Sequence, residues 1–93
     1  MIIKVLYFAE LKDLTGKENE FINIEKNSIE SVISSIIEKH PGLKPLLIDG
    51  DSLKLKKNVS IAINDKIIEN NRKETFILKE NDKIAFLLPI SGG

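Results

Sequence analysis

The sequence predicts a two-layer α+β fold, in which one main helix packs on one face of a small mixed β-sheet. Two observations carry this prediction. Apolar residues alternate along the chain from Met1 to Ala9 and from Lys83 to Leu88, as they do in strands. Between these segments, apolar residues recur at helical spacing from Ile29 to Ile37. The length of 93 residues predicts a single domain, residues 1–93.

The first elements are expected to form an antiparallel strand pair. Alternation in the first strand separates two sets of residues: Ile3, Val5 and Tyr7 on one side, and Lys4, Leu6 and Phe8 on the other. Residues 11–16 are typical of a loop or helical turn that is closed by Gly16, which tolerates positive φ. The segment Phe21 to Ile24 alternates again and is expected to pair with the first strand.

The main helix is the clearest element. Its apolar stripe consists of Ile29, Val32, Ile33, Ile36 and Ile37, and polar side chains such as Ser34 take the opposite side. Asn27 or Ser28 is expected to cap the first turn. The helix is expected to end at His40-Pro41-Gly42, because the residue before a proline is pushed out of the α region.

The remaining elements are short. They are a possible helix with Leu43, Leu46 and Leu47, a turn at Asp49-Gly50-Asp51, a strand with Val59, Ile61 and Ile63, a turn at Asn64-Asp65, short segments at Ile67-Ile68 and Phe76 to Leu78, and a turn at Asn81-Asp82 before the last strand.

The alternation also leaves apolar side chains on the sheet face opposite the helix. If the first and last strands are neighbours, Leu6, Phe8, Ala85 and Leu87 form an apolar patch there. Such a patch is typical of a protein–protein contact. Alternatively, the segment 43–57 covers it, and the sequence favours neither interpretation.

Composition excludes several kinds of site. The 14 acidic and 14 basic residues balance, so we expect neither a nucleic-acid nor a membrane partner. The absence of cysteine excludes disulfides, a thiolate nucleophile and thiolate metal ligands. The single histidine, His40, is expected to interact with the last carbonyl groups of the main helix. Asp49 and Asp51 are typical of a plain turn, since the other ligands of a calcium loop are lacking.

We therefore expect no metal site, no bound cofactor and no catalytic site of the chain's own. The sequence has no leader pattern and no apolar run of membrane-spanning length, which predicts a cytoplasmic protein.

The sequence ends in Ser91-Gly92-Gly93, shortly after the last strand. A glycine pair has no side chains, so it forms a thin strip of backbone that can enter a narrow channel. Pro89 has no N–H and suits the point where the chain leaves the sheet. The Gly93 carboxylate, on a flexible tail over residues 89–93, is the group for which the sequence suggests chemistry.

These residues resemble the MoaD/ThiS group of ubiquitin-like sulfur carriers, which adopt the β-grasp fold. The matching segments are Ile2 to Ala9, Leu14 to Gly16, Ser28-Ile29, Ala62 to Asn64, Asp82 to Phe86 and Pro89 to Gly93. The chain is most similar to the branch of this group that serves molybdopterin synthase. It departs from the family pattern at Asn81, where glycine is frequent, and at Leu88, where a second proline is frequent.

The resemblance implies a chemical cycle at Gly93. An E1-like activating enzyme uses ATP to adenylate its carboxylate, and a sulfur source converts the adenylate to a thiocarboxylate. The sulfur then enters the dithiolene of molybdopterin, while Gly92 keeps the threading tail thin. A hetero-oligomer with the large subunit of molybdopterin synthase is also implied, bound through Leu6, Phe8, Ile67, Leu87 and Pro89.

The same tail leaves other functions open. One is sulfur donation for thiamine thiazole synthesis, and another is covalent attachment to protein lysines as a modifier. A third, from a different class, is a β-grasp interaction module with an inert tail.

Overall fold

The computed structural model describes residues 1–50 and 54–89. Its strands are β1 (Ile2–Leu6), β2 (Asn19–Asn23), β3 (Ser60–Ile63), β4 (Lys66–Ile67) and β5 (Lys83–Leu87). Its helices are α1 (Ala9–Thr15), α2 (Ile29–Lys39) and α3 (Lys44–Leu47), with 3₁₀ turns at Pro41–Leu43 and Asn70–Arg72. None of these helices is long and apolar enough to cross a membrane.

The five strands form one mixed sheet in the order β2-β1-β5-β3-β4. The central pair, β1 and β5, is parallel, and the other neighbouring pairs are antiparallel. The predicted α+β class, the mixed sheet and the pairing of the first two strands are all confirmed. This arrangement is the β-grasp fold.

The main helix α2 packs its apolar stripe against the sheet, as predicted. The buried residues of the stripe are Ile29, Val32, Ile33 and Ile36, while Ile37 is partly buried. The Oγ of Ser28 accepts a hydrogen bond from the Ser31 N–H at 3.2 Å, which makes Ser28 the cap of the first turn. The helix ends at Lys39, just before His40 and Pro41.

The first strand was predicted to continue to Ala9, and this predicted C-terminal boundary was wrong. Strand β1 stops at Leu6, and helix α1 begins at Ala9, whose φ of +48° takes the backbone out of the extended region. Gly16 ends α1 with a φ of +72°, and its N–H donates to the Lys12 carbonyl at 2.8 Å.

The later elements agree with the sequence in part. Asn64 and Asp65 have φ of +50° and +72°, as a two-residue hairpin turn requires, and Asn81 has a φ of +70°. The expected strand segment at Phe76 to Leu78 is reduced to an isolated bridge between Ile77 and Ser28. The predicted turn at Asp49-Gly50-Asp51 is described as far as Gly50, and Asp51 lies outside the described residues.

The segment 43–57 does not cover the apolar sheet face as far as it is described. Leu43, Leu47 and Ile48 are buried in the same core cluster as the α2 stripe, and Leu55 packs partly against that cluster. These side chains therefore lie on the helix side of the sheet. Of the two interpretations that the sequence left open, the structure favours an uncovered apolar face.

Candidate functional site

A row of small and apolar residues crosses the open face of the sheet, opposite α2. The strand registers place Leu6 beside Ala85, Ala85 beside Ala62, and Ala62 beside Ile67. Three strand spacings separate Leu6 from Ile67, so the row is about 14 Å wide. Ile67 is 66% exposed and Leu6 is partly exposed. The row is therefore an apolar strip that is accessible at its two ends, while Ala85 near its middle is only 4% exposed.

Two larger side chains extend this strip towards the end of the sheet. Leu87 follows Ala85 by two residues and so points to the same face, level with Ser60. Phe8 lies two residues beyond Leu6, in extended backbone just after β1, and is 49% exposed. We call Leu6, Phe8, Ile67 and Leu87 the open-face patch. The structure thus brings four of the five predicted partner-binding residues onto one surface.

The fifth predicted residue, Pro89, lies where the chain leaves the sheet. Strand β5 is flanked by β1 and β3 and ends at Leu87. Leu88 is partly buried against the core, and Pro89 is exposed and outside the strand, as its missing N–H predicts. Gly92 and Gly93 lie outside the described residues. The tail therefore starts from the middle of the sheet, beside the open-face patch.

A hydrogen-bonded clamp between two turns positions Ile67. The side-chain oxygen of Asn64 accepts from the Lys83 N–H at 3.0 Å, and its amide nitrogen donates to Asp82 Oδ1 at 2.8 Å. The other carboxylate oxygen of Asp82 accepts from the Lys79 N–H at 2.8 Å. These bonds tie the β3–β4 turn to the start of β5. The short strand β4, which carries Ile67, is held in the row by this clamp.

Beneath Phe8, the core contains a polar cluster centred on Glu20. The Tyr7 hydroxyl donates to Glu20 Oε2 at 2.7 Å, and His40 Nε2 lies 3.0 Å from the same oxygen. An ionised carboxylate only accepts hydrogen bonds, so Nε2 of His40 carries the proton. Lys17 and Lys39 approach Glu20 Oε1 at 3.3 Å and 3.5 Å. Each oxygen of this buried carboxylate therefore has two donors.

These contacts set the protonation of the cluster. Burial alone would raise the pKa of Glu20, but hydrogen bonds from Tyr7, His40 and Lys17 outweigh it and lower the pKa to about 2. Burial, reinforced by the negative charge of Glu20, raises the pKa of the Tyr7 hydroxyl well above its usual value. At neutral pH the pair is thus an ionised carboxylate and a neutral phenol, joined by a charge-assisted hydrogen bond.

The sequence did not reveal this cluster. His40 was expected to interact with the last carbonyls of the main helix, and it does so through its backbone N–H. This N–H donates to the Ile36 carbonyl at 2.8 Å, but the ring meets Glu20 and packs edge-on against Tyr7, with 6.0 Å between ring centroids. Across residues 1–50 and 54–89, no group of three or more histidine or carboxylate side chains is arranged to hold a metal ion.

The place of Ala62 in the apolar row, where it links Ala85 to Ile67, was not predicted from the sequence. An alanine carries little hydrophobic signal, and its place in the row depends on which strands are neighbours. The alternation of Val59, Ile61 and Ile63 places Ala62 on the opposite face, and that was the available signal. The missing information was the pairing of β3 with β5.

Known proteins resemble this chain over its full length. The molybdopterin synthase sulfur carrier subunit of Chlamydomonas reinhardtii is 30% identical over 94 residues, covering 100% of both chains. The solution structure of small archaeal modifier protein 1 from Methanosarcina acetivorans is 33% identical, has a TM-score of 0.79, and covers 99% of this chain and 96% of that chain.

A third similar protein was solved as part of an assembly, the complex of subunits 1 and 2 of the molybdopterin-converting factor from Helicobacter pylori. Its matching chain is 30% identical with a TM-score of 0.62, and the match covers 100% of both chains. The model of the ThiS family matches residues 5–93, from within β1 to the end of the sequence. This chain therefore belongs to the ThiS family.

Proposed function

We propose that this chain is the sulfur carrier subunit of a molybdopterin synthase, and that the Gly93 carboxylate is where sulfur is attached. The observation that carries the proposal is the end-to-end similarity to the Chlamydomonas carrier, which is 30% identical and fully covered. The Helicobacter pylori complex of two subunits supports a large subunit as the partner. Under this proposal the chain acts as a donor and has no catalytic site of its own.

The chemistry follows from the reactivity of a carboxylate, which is a poor acyl donor because its oxygen is a poor leaving group. An E1-like enzyme joins the Gly93 carboxylate to the α-phosphate of ATP, with release of pyrophosphate. Sulfur at the sulfide level, as HS⁻, then attacks the acyl carbon and expels AMP, which leaves the thiocarboxylate. Because the chain has no cysteine, the sulfur is carried on the terminal carbonyl carbon instead of on a side chain.

The open-face patch serves as the anchor in this proposal. From Pro89 to Gly93, four further residues reach at most about 14 Å when extended. The carrier must therefore dock with its sheet that close to the partner's active site. Apolar contacts through Phe8, Leu87 and Ile67, beside the start of the tail, support such a docking. Docking then reduces the volume that the thiocarboxylate must search.

The proposal is tested by the intact mass of the protein purified from its own cells. Replacement of one oxygen by sulfur in the terminal carboxylate gives a fixed mass gain, and alkylation of the thiocarboxylate distinguishes it from an oxidised Met1. Added to the large subunit and the pterin precursor, the thiocarboxylate form should yield dithiolene and return to the unmodified mass. A thiocarboxylate that never transfers its sulfur to the large subunit's substrate would contradict the proposal.

A second candidate function is protein modification. The observation that favours it is the 33% identity to the Methanosarcina acetivorans small archaeal modifier protein 1. In that case the activated Gly93 carbonyl forms an isopeptide bond with a lysine of another protein. Peptide mass spectrometry of cell extracts, searched for lysines that carry the C-terminal residues of this chain, separates the two functions. Both functions use the same activated tail.

A further inference from the structure

Strand β2 forms an exposed edge of the sheet. No strand lies on its outer side among the residues that the structure describes. The strand is five residues long, and Phe21 at its centre is 63% exposed. The opposite edge, β4, has only two residues, a length that itself discourages pairing. Strand β2 contains neither proline nor lysine, which natural proteins often use to protect such an edge.

The hydrogen-bond pattern shows which backbone groups of β2 point outwards. The Ile24 N–H donates to the Met1 carbonyl at 2.9 Å, and the Tyr7 N–H donates to the Glu18 carbonyl at 2.9 Å. Antiparallel strands alternate between bonded and non-bonded pairs, so Glu20 and Ile22 bond to β1. The N–H and C=O groups of Asn19, Phe21 and Asn23 therefore face away from the sheet.

We propose that β2 pairs antiparallel with β2 of a second copy of this chain, in the register that places Phe21 opposite Phe21. In this register the outward N–H groups of Asn19, Phe21 and Asn23 each meet an outward carbonyl of the second copy. Asn19 faces Asn23 on both sides of the central pair. Two five-stranded sheets become one continuous sheet about a two-fold axis.

Side-chain complementarity selects a second copy as the occupant of this edge. The central register stacks one Phe21 ring against the other, an aromatic pair of the kind that stabilises antiparallel strands. It also places Lys17, whose half-exposed amino group contacts Glu20 of its own chain at 3.3 Å, opposite Glu25 of the second copy. A shift by two residues would place Phe21 opposite an asparagine and separate these charges. The edge is therefore complementary to itself.

This pairing goes beyond the proposed function and is independent of it. The open-face patch begins at β1, one strand in from the β2 edge, and edge pairing adds strands beside the sheet, so both open-face patches remain uncovered. Because of the two-fold axis, the two β5 strands run in opposite directions and end at opposite ends of the joined sheet. A seam of one strand pair buries less surface than a standard interface, so we expect a dissociation constant on the order of 100 µM.

Amide hydrogen exchange, followed by NMR at low and high protein concentration, tests the register directly. The amides of Asn19, Phe21 and Asn23 should become protected only at high concentration, near about 1 mM. The amides of Glu20 and Ile22 bond to β1 and should be protected at both concentrations. This alternation along one strand is specific to edge pairing.

Sedimentation equilibrium of two variants tests the side-chain argument. Phe21→Asp places two carboxylates opposite each other and should weaken self-association by about tenfold or more. Ile77→Asp is the matched control, because Ile77 is similarly exposed, at 65%, but lies outside the named strands. Its self-association should be unchanged. Persisting protection of the Glu20 and Ile22 amides in Phe21→Asp shows that the sheet remains folded.

Three results would overturn the pairing. The first is a protein that remains monomeric at about 1 mM, with the Asn19, Phe21 and Asn23 amides unprotected. The second is a dimer that the two variants weaken equally. The third is protection of these amides by an added foreign strand but never by concentration alone, which would assign the edge to another protein.

Discussion

The hydroxyl of Tyr7 lies 2.7 Å from Oε2 of Glu20, and this bond joins the residue just after β1 to the buried side of β2. Tyr7 is 1% exposed and directly precedes Phe8 of the open-face patch. The bond therefore fixes the backbone from which Phe8 projects. A buried charge that is fully paired in this way is costly to disturb, because removing one partner leaves the other unsatisfied.

The first prediction concerns the pH dependence of stability. In the unfolded chain a glutamate titrates near pH 4.3, whereas the pKa of folded Glu20 is about 2. Because the folded-state pKa is lowered, ionised Glu20 contributes its full stability above the unfolded pKa. The contribution is lost as the pH falls from about 4.3 towards 2. Urea unfolding between pH 2 and 7 should show this loss, and Glu20→Gln should reduce it.

The matched control for this prediction is Glu18→Gln, since Glu18 is exposed and its ion pair with Lys12, at 3.2 Å, lies at the surface. An exposed pair contributes little, so the pH profile of this variant should follow that of the unmodified protein. A Glu20→Gln profile that is parallel to the unmodified one between pH 2 and 4.5 would show that Glu20 is not the group responsible.

The second prediction concerns the core. Ile36 is 0% exposed in the middle of the α2 stripe, so Ile36→Ala should lower the free energy of unfolding by about 2–5 kcal/mol. Ser34 is exposed on the other side of the helix, and Ser34→Ala should change it by less than about 0.5 kcal/mol. Denaturant midpoints measure both. Similar losses of unfolding free energy in the two variants would show that the apolar stripe is not the buried side of α2.

The third prediction separates docking from folding. Phe8→Asp should weaken binding of the large subunit by about tenfold or more, because the contact would bury an unpaired charge. Its melting temperature should stay close to that of the unmodified protein, since Phe8 is 49% exposed. Titration calorimetry and a thermal melt measure the two effects, with Ile77→Asp as the control. If Phe8→Asp bound the large subunit with full affinity, the open-face patch would not be part of the docking surface.

The fourth prediction concerns the tail. Deletion of Gly93, or the change Gly92→Val, should abolish activation as measured by ATP–pyrophosphate exchange with the activating enzyme. Stability should be unchanged, because a glycine has no side chain to contribute to the core. Exchange that continues without Gly93 would exclude its carboxylate as the site of activation.

Local patterns in the sequence predicted the elements whose cause is local. The stripe of α2, its cap at Asn27 or Ser28 and the turn at Asn81 each depend on nearby residues, and the structure confirms them, with Ser28 as the cap and a positive φ at Asn81. The end of β1 was missed because the alternation continues through Phe8, while the turn at Ala9 depends on the packing of α1. The alternation of apolar residues predicted which residues share a face of each strand, but it did not predict the order of the strands in the sheet.

The shared face of Leu6, Ala85 and Leu87 was predicted correctly, because the alternation of β1 and β5 fixes which residues share a face. The role of this face in partner binding stays a prediction. The Glu20 cluster was not predictable in this way. Its partners Tyr7 and His40 are 13 and 20 residues away and come from different elements. Only the three-dimensional packing brings these side chains to one carboxylate. The role of Gly92 and Gly93 stays a prediction.

The central position of β5 has a consequence for synthesis of the protein. The β1–β2 and β3–β4 hairpins are joined into one sheet only by β5, the last strand in the sequence. On the ribosome, a chain that has not yet released residue 87 holds two disconnected hairpins, and neither can display the full row from Leu6 to Ile67. If the row is the docking surface, as proposed, a partially made chain lacks that surface until β5 has been translated.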